Sequence, residues 1–168
     1  MMSTIHTPTR GSRDVPKRVS ITQARREMGP LFSDVVVAHR PALIERQSHA
    51  GVLVGVDDAI DLLVPYEFHT EVFFEPKAVS FWVPELSLYG RGDSYEEAAE
   101  DLLDEVRDYI EEYWSEIDSY RKAPNRASHF PYLMRAHLAD RSGDLLDVLL
   151  AEPSDAATAS REEALAPA

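Results

Sequence analysis

Arg18-Val-Ser-Ile-Thr-Gln-Ala-Arg25, followed by Pro41-Ala-Leu-Ile-Glu-Arg-Gln47 and Gly51-Val-Leu-Val-Gly-Val56, is the stretch that decides the fold. Val19 and Ile21 alternate with Ser20 as a brief strand, because successive strand side chains point to opposite faces. From Gln23 the period changes. Ala24, Met28, Leu31, Phe32, Val35 and Val36 recur at steps of three and four, which predicts one buried helix face with Arg25 and Arg26 at the first turn. Thr22 or Ser20 is placed to cap that helix. Gly29-Pro30 falls inside the pattern, and a proline there removes a backbone donor and clashes with the preceding turn, so a kink or break is expected. Leu43-Ile44 and Val52-Leu53-Val54 predict two strands around a turn at Ser48-His-Ala-Gly51, with Arg46 on the hairpin. Asp57-Asp58 then opens a short helix through Leu63, stopped by Pro65.

Charge is divided unevenly around this unit. The 168 residues carry a formal net charge of −13, which by itself argues against a nucleic-acid partner, since an acidic surface repels phosphate. Residues 1–56, however, hold eight cations (Arg10, Arg13, Lys17, Arg18, Arg25, Arg26, Arg40, Arg46) against four acids (Asp14, Glu27, Asp34, Glu45), a net of +4 that leaves −17 for the rest. The asymmetry suggests a basic module facing nucleic acid and an acidic module facing a basic protein; acidic helices that merely keep the chain soluble are the alternative. Cysteine is absent, which excludes disulfides and thiolate metal sites and fits a reducing cytoplasm. The longest apolar runs, Val35–Ala38 and Leu145–Ala151, are far below spanning length, and no signal peptide opens the sequence, so a soluble cytoplasmic protein with no membrane partner is expected.

A second unit begins near Phe68. Val72-Phe-Phe74 and Val79-Ser-Phe-Trp-Val83 are rich in aromatic and β-branched residues and predict strands joined at Glu75-Pro76-Lys77, with Pro84 at a strand end or sheet edge. Gly90-Arg-Gly-Asp-Ser94 reads as a turn whose glycines supply positive φ, and Ser94 with Glu97 forms a capping box. Tyr95, Ala99, Leu102, Leu103, Val106, Ile110, Tyr113, Trp114 and Ile117 draw the apolar stripe of a long helix whose other face is acidic. Beyond Arg121, residues 125–139 predict an amphipathic helix interrupted by Pro131, and 144–150 a short apolar helix or strand. The first sixteen residues and the tail from Glu152 lack periodicity and have little to bury, so a disordered arm and a disordered tail are expected.

Two resemblances follow from these residues. The strand-helix-hairpin unit with Arg25 and Arg46, over roughly 17–64, resembles the N-terminal half of Phd/YefM-type antitoxins, small dimeric DNA-binding modules. Val83-Pro84-Glu85-Leu86, then Gly92-Asp93-Ser94-Tyr95-Glu96-Glu97-Ala98 and a long helix, over roughly 70–120, is similar to HicB-type antitoxins, whose β-β-β-α core is a partial ribonuclease H-type fold. The sequence departs from the second family where Leu86-Ser87-Leu88-Tyr89 replaces its usual Pro-Gly-Cys segment. Together they imply an α+β chain: an arm over 1–16, a β-α-β-β-α dimerisation and DNA-binding domain over 17–66, an acidic HicB-like domain with extra C-terminal helices over 68–151, and a tail over 152–168.

DNA binding needs cations on a rigid element, so that phosphates set the register while base edges are read in a groove. Lys17, Arg18, Arg25, Arg26 and Arg46 are the candidates on one face, and a symmetric dimer doubles them to match paired half-sites; ordinary surface ion pairs are the competing fate of such residues. The resemblance implies that Arg25 and Arg46 match the family's DNA-contacting arginines. It also implies an antitoxin that binds operator DNA as a homodimer, with room for higher-order assembly, and neutralises a protein toxin, an RNase or translation inhibitor, through its acidic C-terminal region. A transcription regulator without a toxin, using the HicB-like domain to oligomerise or sense a ligand, is the alternative. Asp140, Asp144 and Asp147 raise a metal-dependent nuclease as a third reading, but carboxylates at helical spacing are ordinarily a solvated face, and His129 and His137 lack a third ligand. Arg91-Gly-Asp93 reproduces an adhesion tripeptide but is better explained as turn and cap. With no Ser-His-Asp order and no phosphate-cradling loop, no enzymatic activity, catalytic residue, metal or cofactor is expected.

Overall fold

The computed structural model describes residues 16–151. The arm expected over 1–16 and the tail expected from Glu152 lie outside the described residues, Pro16 excepted. The fold is α+β with two three-stranded sheets, and the chain divides into two compact units, one ending at Ala59 and the next beginning at Ile60.

In the first unit, β1 (Lys17–Ser20) ends where the Ser20 hydroxyl accepts the Gln23 N–H at 3.1 Å, so Ile21 opens helix α1 (Ile21–Arg26) instead of closing the strand. Arg25 and Arg26 therefore occupy the last turn of a short helix, not the first turn of a long one. The break expected at Gly29-Pro30 falls earlier, at Glu27, whose N–H donates to the Gln23 carbonyl and whose own carbonyl accepts from Leu31. Helix α2 (Met28–Val36) restarts at once and leaves Pro30 in its first turn, where backbone amides have no intrahelical acceptor to lose. Leu31 and Val35 are buried with Val19, Ala24 and Ala42, but Met28, Phe32 and Val36, expected on the same face, are exposed, Phe32 at 55%.

The two helices form the crossover that parallel strands require. Strand β2 (Ala42–Arg46) pairs parallel to β1, with Val19 opposite Ile44, and β3 (His49–Leu53) returns antiparallel, giving the order β1-β2-β3. The turn is Gln47-Ser48, with Gln47 in the left-handed region at φ 53°; Ala50 and Gly51, expected in the turn, are strand residues, with Gly51 opposite Ile44. Helix α3 (Val56–Leu63) carries Asp57 and Asp58 in its first turn, where carboxylates offset the positive end of the helix dipole.

The second unit holds an antiparallel meander, β4 (Glu71–Glu75), β5 (Ala78–Val83) and β6 (Leu88–Gly92), followed by the 21-residue α4 (Tyr95–Ser115). Ser94 caps the helix as expected, its hydroxyl accepting the Glu97 N–H at 3.2 Å, while the Glu97 carboxylate reaches back one residue beyond the cap to accept the Asp93 N–H at 3.0 Å. Gly90 and Gly92 lie in β6 and not in a turn, and their use differs from the one expected. A Cβ on Gly90 would sit 2.5 Å from Leu102 Cβ, and one on Gly92 2.4 Å from the Ala98 nitrogen, so both glycines let α4 lie directly on the strand. The turn conformation belongs to Ser87, at φ 56°.

Phe81 and Val83 from the sheet, and Leu102, Val106 and Tyr113 from α4, form a core completed by Leu133, Leu145 and Leu149. These last come from α6 (Phe130–Ser142) and α7 (Leu145–Leu150), which follow the short α5 (Ile117–Tyr120) and a 3-10 turn at Ala127–His129. Pro131 opens α6 instead of interrupting it, since its fixed φ and missing N–H suit a helix start. Gly143, at φ 83°, ends α6 in the left-handed conformation that glycine adopts without a Cβ clash.

Candidate nucleic-acid interface

Parallel pairing decides where the cations stand. Because β1 and β2 run the same way, the end of β1, from which Ser20 leads into α1, and the end of β2, at Arg46, lie at the same end of the sheet. Helix α1, which carries Arg25 and Arg26 in its last turn, departs from that end, Arg46 stands there beside the Gln47-Ser48 turn, and all three are exposed. Among the described residues none of the three has an ion-pair partner. Cations in the last turn also meet the negative end of the helix dipole, which favours their placement without consuming their charge.

Lys17 and Arg18 are set apart from this group. As neighbours in a strand they point to opposite faces. Lys17 lies toward the start of β1, with Nζ 3.3 Å from the Asp34 carboxylate and both side chains nearly half exposed. Arg18 lies on the sheet face away from the core, in the row Arg18, Leu43, Val52, where Val52 is exposed. An open cleft of about 480 Å³ is lined by Lys17, Leu31, Asp34, His39 and Arg40 among others. Its charges are mixed, and His39 Nδ1 is 2.9 Å from Asp58 Oδ1.

In the second unit Asp140, His129 and Arg91, considered for other chemistry, have structural partners. Asp140 accepts from Arg107 at 3.0 Å, and no group of three or more His, Asp or Glu that could hold a metal occurs among the described residues. His129 is buried with Nδ1 2.7 Å from the Tyr109 hydroxyl; burial, reinforced by the Arg126 charge, holds its pKa below the ordinary histidine value. Arg91 pairs with Glu75 at 3.3 Å, while Asp93 precedes the α4 cap, so the tripeptide is strand end and cap. No helix among the described residues is long and apolar enough to cross a membrane.

Arg135 escaped the reading of the sequence. Its Nη1 donates to the carbonyls of Val64 (2.9 Å) and Tyr66 (2.7 Å), and burial pulls its pKa down from the ordinary arginine value. No local pattern signals a contact to carbonyls about seventy residues away; an arginine on a half-buried helix face was the only available hint.

A model of the PHD_like family, described as an antitoxin of toxin-antitoxin, RelE / RelB, TA system, matches residues 16–151. A crystal structure from Syntrophomonas wolfei subsp. wolfei, of the antitoxin part of a proposed toxin/antitoxin system, superposes with a TM-score of 0.68 at 20% identity, covering 79% of this chain and 95% of that one. At that identity the likeness is one of fold. No curated protein matches the chain.

Proposed function

The chain belongs to the PHD-like family of toxin–antitoxin antitoxins, and on that premise we propose that it binds its own operator DNA as a homodimer through the first unit and neutralises a cognate protein toxin through the second. The observation that carries the DNA part is the placement of Arg25, Arg26 and Arg46: exposed and unpaired among the described residues, with Arg46 at the sheet end from which the arginine-bearing α1 departs. Such a group supplies phosphate and base-edge contacts from rigid elements. Lys17 and Arg18 take the flanking phosphate role, Lys17 by exchanging its weak exposed pair with Asp34 for a phosphate.

Dimerisation rests on the apolar balance of the first unit. Five side chains form its buried core, while Met28, Phe32 and Val36, at successive four-residue steps, line an exposed stripe along α2. Few buried side chains leave a small unit marginally stable, and a second copy seated on the stripe adds the missing apolar burial. Two-fold symmetry then doubles the arginine group to match paired half-sites. The first unit takes a Phd/YefM-like role and the second a HicB-like one, in the cytoplasm and without catalysis, metal or cofactor. Residues 60–151 carry twenty acids against eight Lys/Arg, so a basic toxin, an RNase or translation inhibitor, is the complementary partner.

Titration of a DNA fragment from upstream of the gene tests the reading. Arg25→Ala and Arg46→Ala each weaken binding about tenfold at low salt and lower the salt slope by about one, with melting unchanged. Unaltered affinity in both variants refutes this DNA face.

A further inference from the structure

Helix α4 covers one face of the β4-β5-β6 sheet, where Val79, Phe81 and Val83 of β5 are buried with Leu102 and Val106. The alternate residues Ser80 and Trp82 point to the other face. There two cross-strand rows run side by side: Glu71, Trp82, Tyr89 and Phe73, Ser80, Arg91. Phe73 and Tyr89 are 46% and 45% exposed on this face, and Trp82 between them is half-buried. Ser80 has no exposed surface, yet its Oγ has no hydrogen-bond partner. Buried hydroxyls are ordinarily paired, and an unpaired one is destabilising to the free protein. The Arg91 guanidinium, in Ser80's own row, pairs with Glu75 in a contact whose two side chains are both more than half exposed, while its backbone N–H donates to the Asp101 carboxylate.

We propose that this face is the docking surface for the cognate toxin, an inference that rests on the antitoxin reading above and assigns its contact. An apolar or long-stemmed side chain of the toxin seats between Phe73 and Tyr89, and a basic one meets Glu71. Arg91 swings off Glu75, which frees that carboxylate for a second toxin cation and opens Ser80 Oγ to a polar group of the partner. Charge selects this occupant over the others. A second copy would set two units of net charge −12 face to face, and the chain beyond Ala151 carries a net −3 with Leu165 as its one large apolar residue. A basic protein suffers neither penalty.

The test uses the full chain co-expressed with the protein encoded by the adjacent reading frame, read by growth rescue and by the affinity of the purified pair. The double variant F73A/Y89A binds about thirtyfold more weakly and fails to rescue growth, with operator binding retained, because aromatic anchors dominate such interfaces. Ser80→Ala melts at the same or a higher temperature, yet binds the partner several-fold more weakly, a combination that a purely structural serine does not produce. Wild-type affinity in both variants overturns the proposal while leaving the antitoxin reading intact. Conversion of the double variant to a monomer makes the face homotypic and overturns it as well. A wild-type chain that neither binds the neighbour nor rescues growth removes the antitoxin pairing itself, and the docking surface with it.

Discussion

Replacing Gly90 by alanine probes the contact on which the second unit is built. The added Cβ lies 2.5 Å from Leu102 Cβ and 2.7 Å from both Leu102 Cα and N, against the roughly 3.5–4.0 Å that carbon atoms prefer. The obstructing atoms are backbone or attached directly to it, so no rotamer change relieves the clash, and β6 and α4 must part by about 1 Å. Parting loosens Phe81, Leu102 and Val106, which are fully buried along that seam. Overpacking costs about 1–3 kcal/mol, and a backbone obstruction belongs at the upper end. For a unit of this size that is a fall in melting temperature of roughly 10–20 °C. Gly29→Ala is the matched control: it lies in α2 with nothing within 4 Å of an added Cβ, so the same substitution gains about 0.5–1 kcal/mol from helix propensity. Thermal melts followed by circular dichroism, with urea titrations alongside, read both variants. A Gly90→Ala protein that melts within about 2 °C of the parent shows that α4 is not seated by the missing side chain, and the packing account of β6 fails.

Phe32→Glu on the exposed stripe of α2 shifts the proposed dimer toward monomer by a hundredfold or more, since in a two-fold interface on that stripe two phenylalanines each forfeit about 1.5–3 kcal/mol of burial. Light scattering across a dilution series measures it, and a variant still dimeric at nanomolar concentration excludes the stripe as the interface. The buried His129 gives the stability a pH dependence of definite sign. Its folded pKa is depressed by burial and by Arg126, so the folded state binds the proton less readily than the unfolded one. The contribution is complete above the ordinary value of 6.5 and is lost as pH falls from there toward the folded pKa. Melting temperatures at pH 7.5, 6.5 and 5.5 fall in that order, and His129→Gln flattens the lower step; an equal slope in the variant assigns the loss to other groups.

The parts of this molecule that were legible in its residues are those whose cause is local. The helix cap at Ser94, the apolar stripe of α4, the aromatic strands β4 and β5 and the helix at Asp57-Asp58 each depend on neighbours within a few positions, where periodicity and side-chain chemistry act directly. Local rules erred where two signals competed. Gly29-Pro30 reads as a break, but a helix start tolerates the same pair once Glu27 has already ended the previous helix. Glycines at 90 and 92 read as turn residues, while their use is the close approach of a helix that lies elsewhere in the chain until folding brings it there.

By itself, then, the sequence determined most of the strands and helices, though not the split of the first helix or strand β6, together with the opposed charges of the two halves and which cations were available. Tertiary structure alone decided where those cations stand. Parallel pairing of β1 with β2 brings Arg46 to the sheet end from which α1, with Arg25 and Arg26, departs, while Lys17 lies toward the other end of β1 and Arg18 on the sheet face away from the core. It likewise left Phe32 outside the core, opened one aromatic face of the second sheet around an unpaired Ser80, and sent Arg135 to the carbonyls of Val64 and Tyr66. Strand order, helix breaks and long-range packing set these positions, because they depend on segments distant in the chain that no window of neighbouring residues contains.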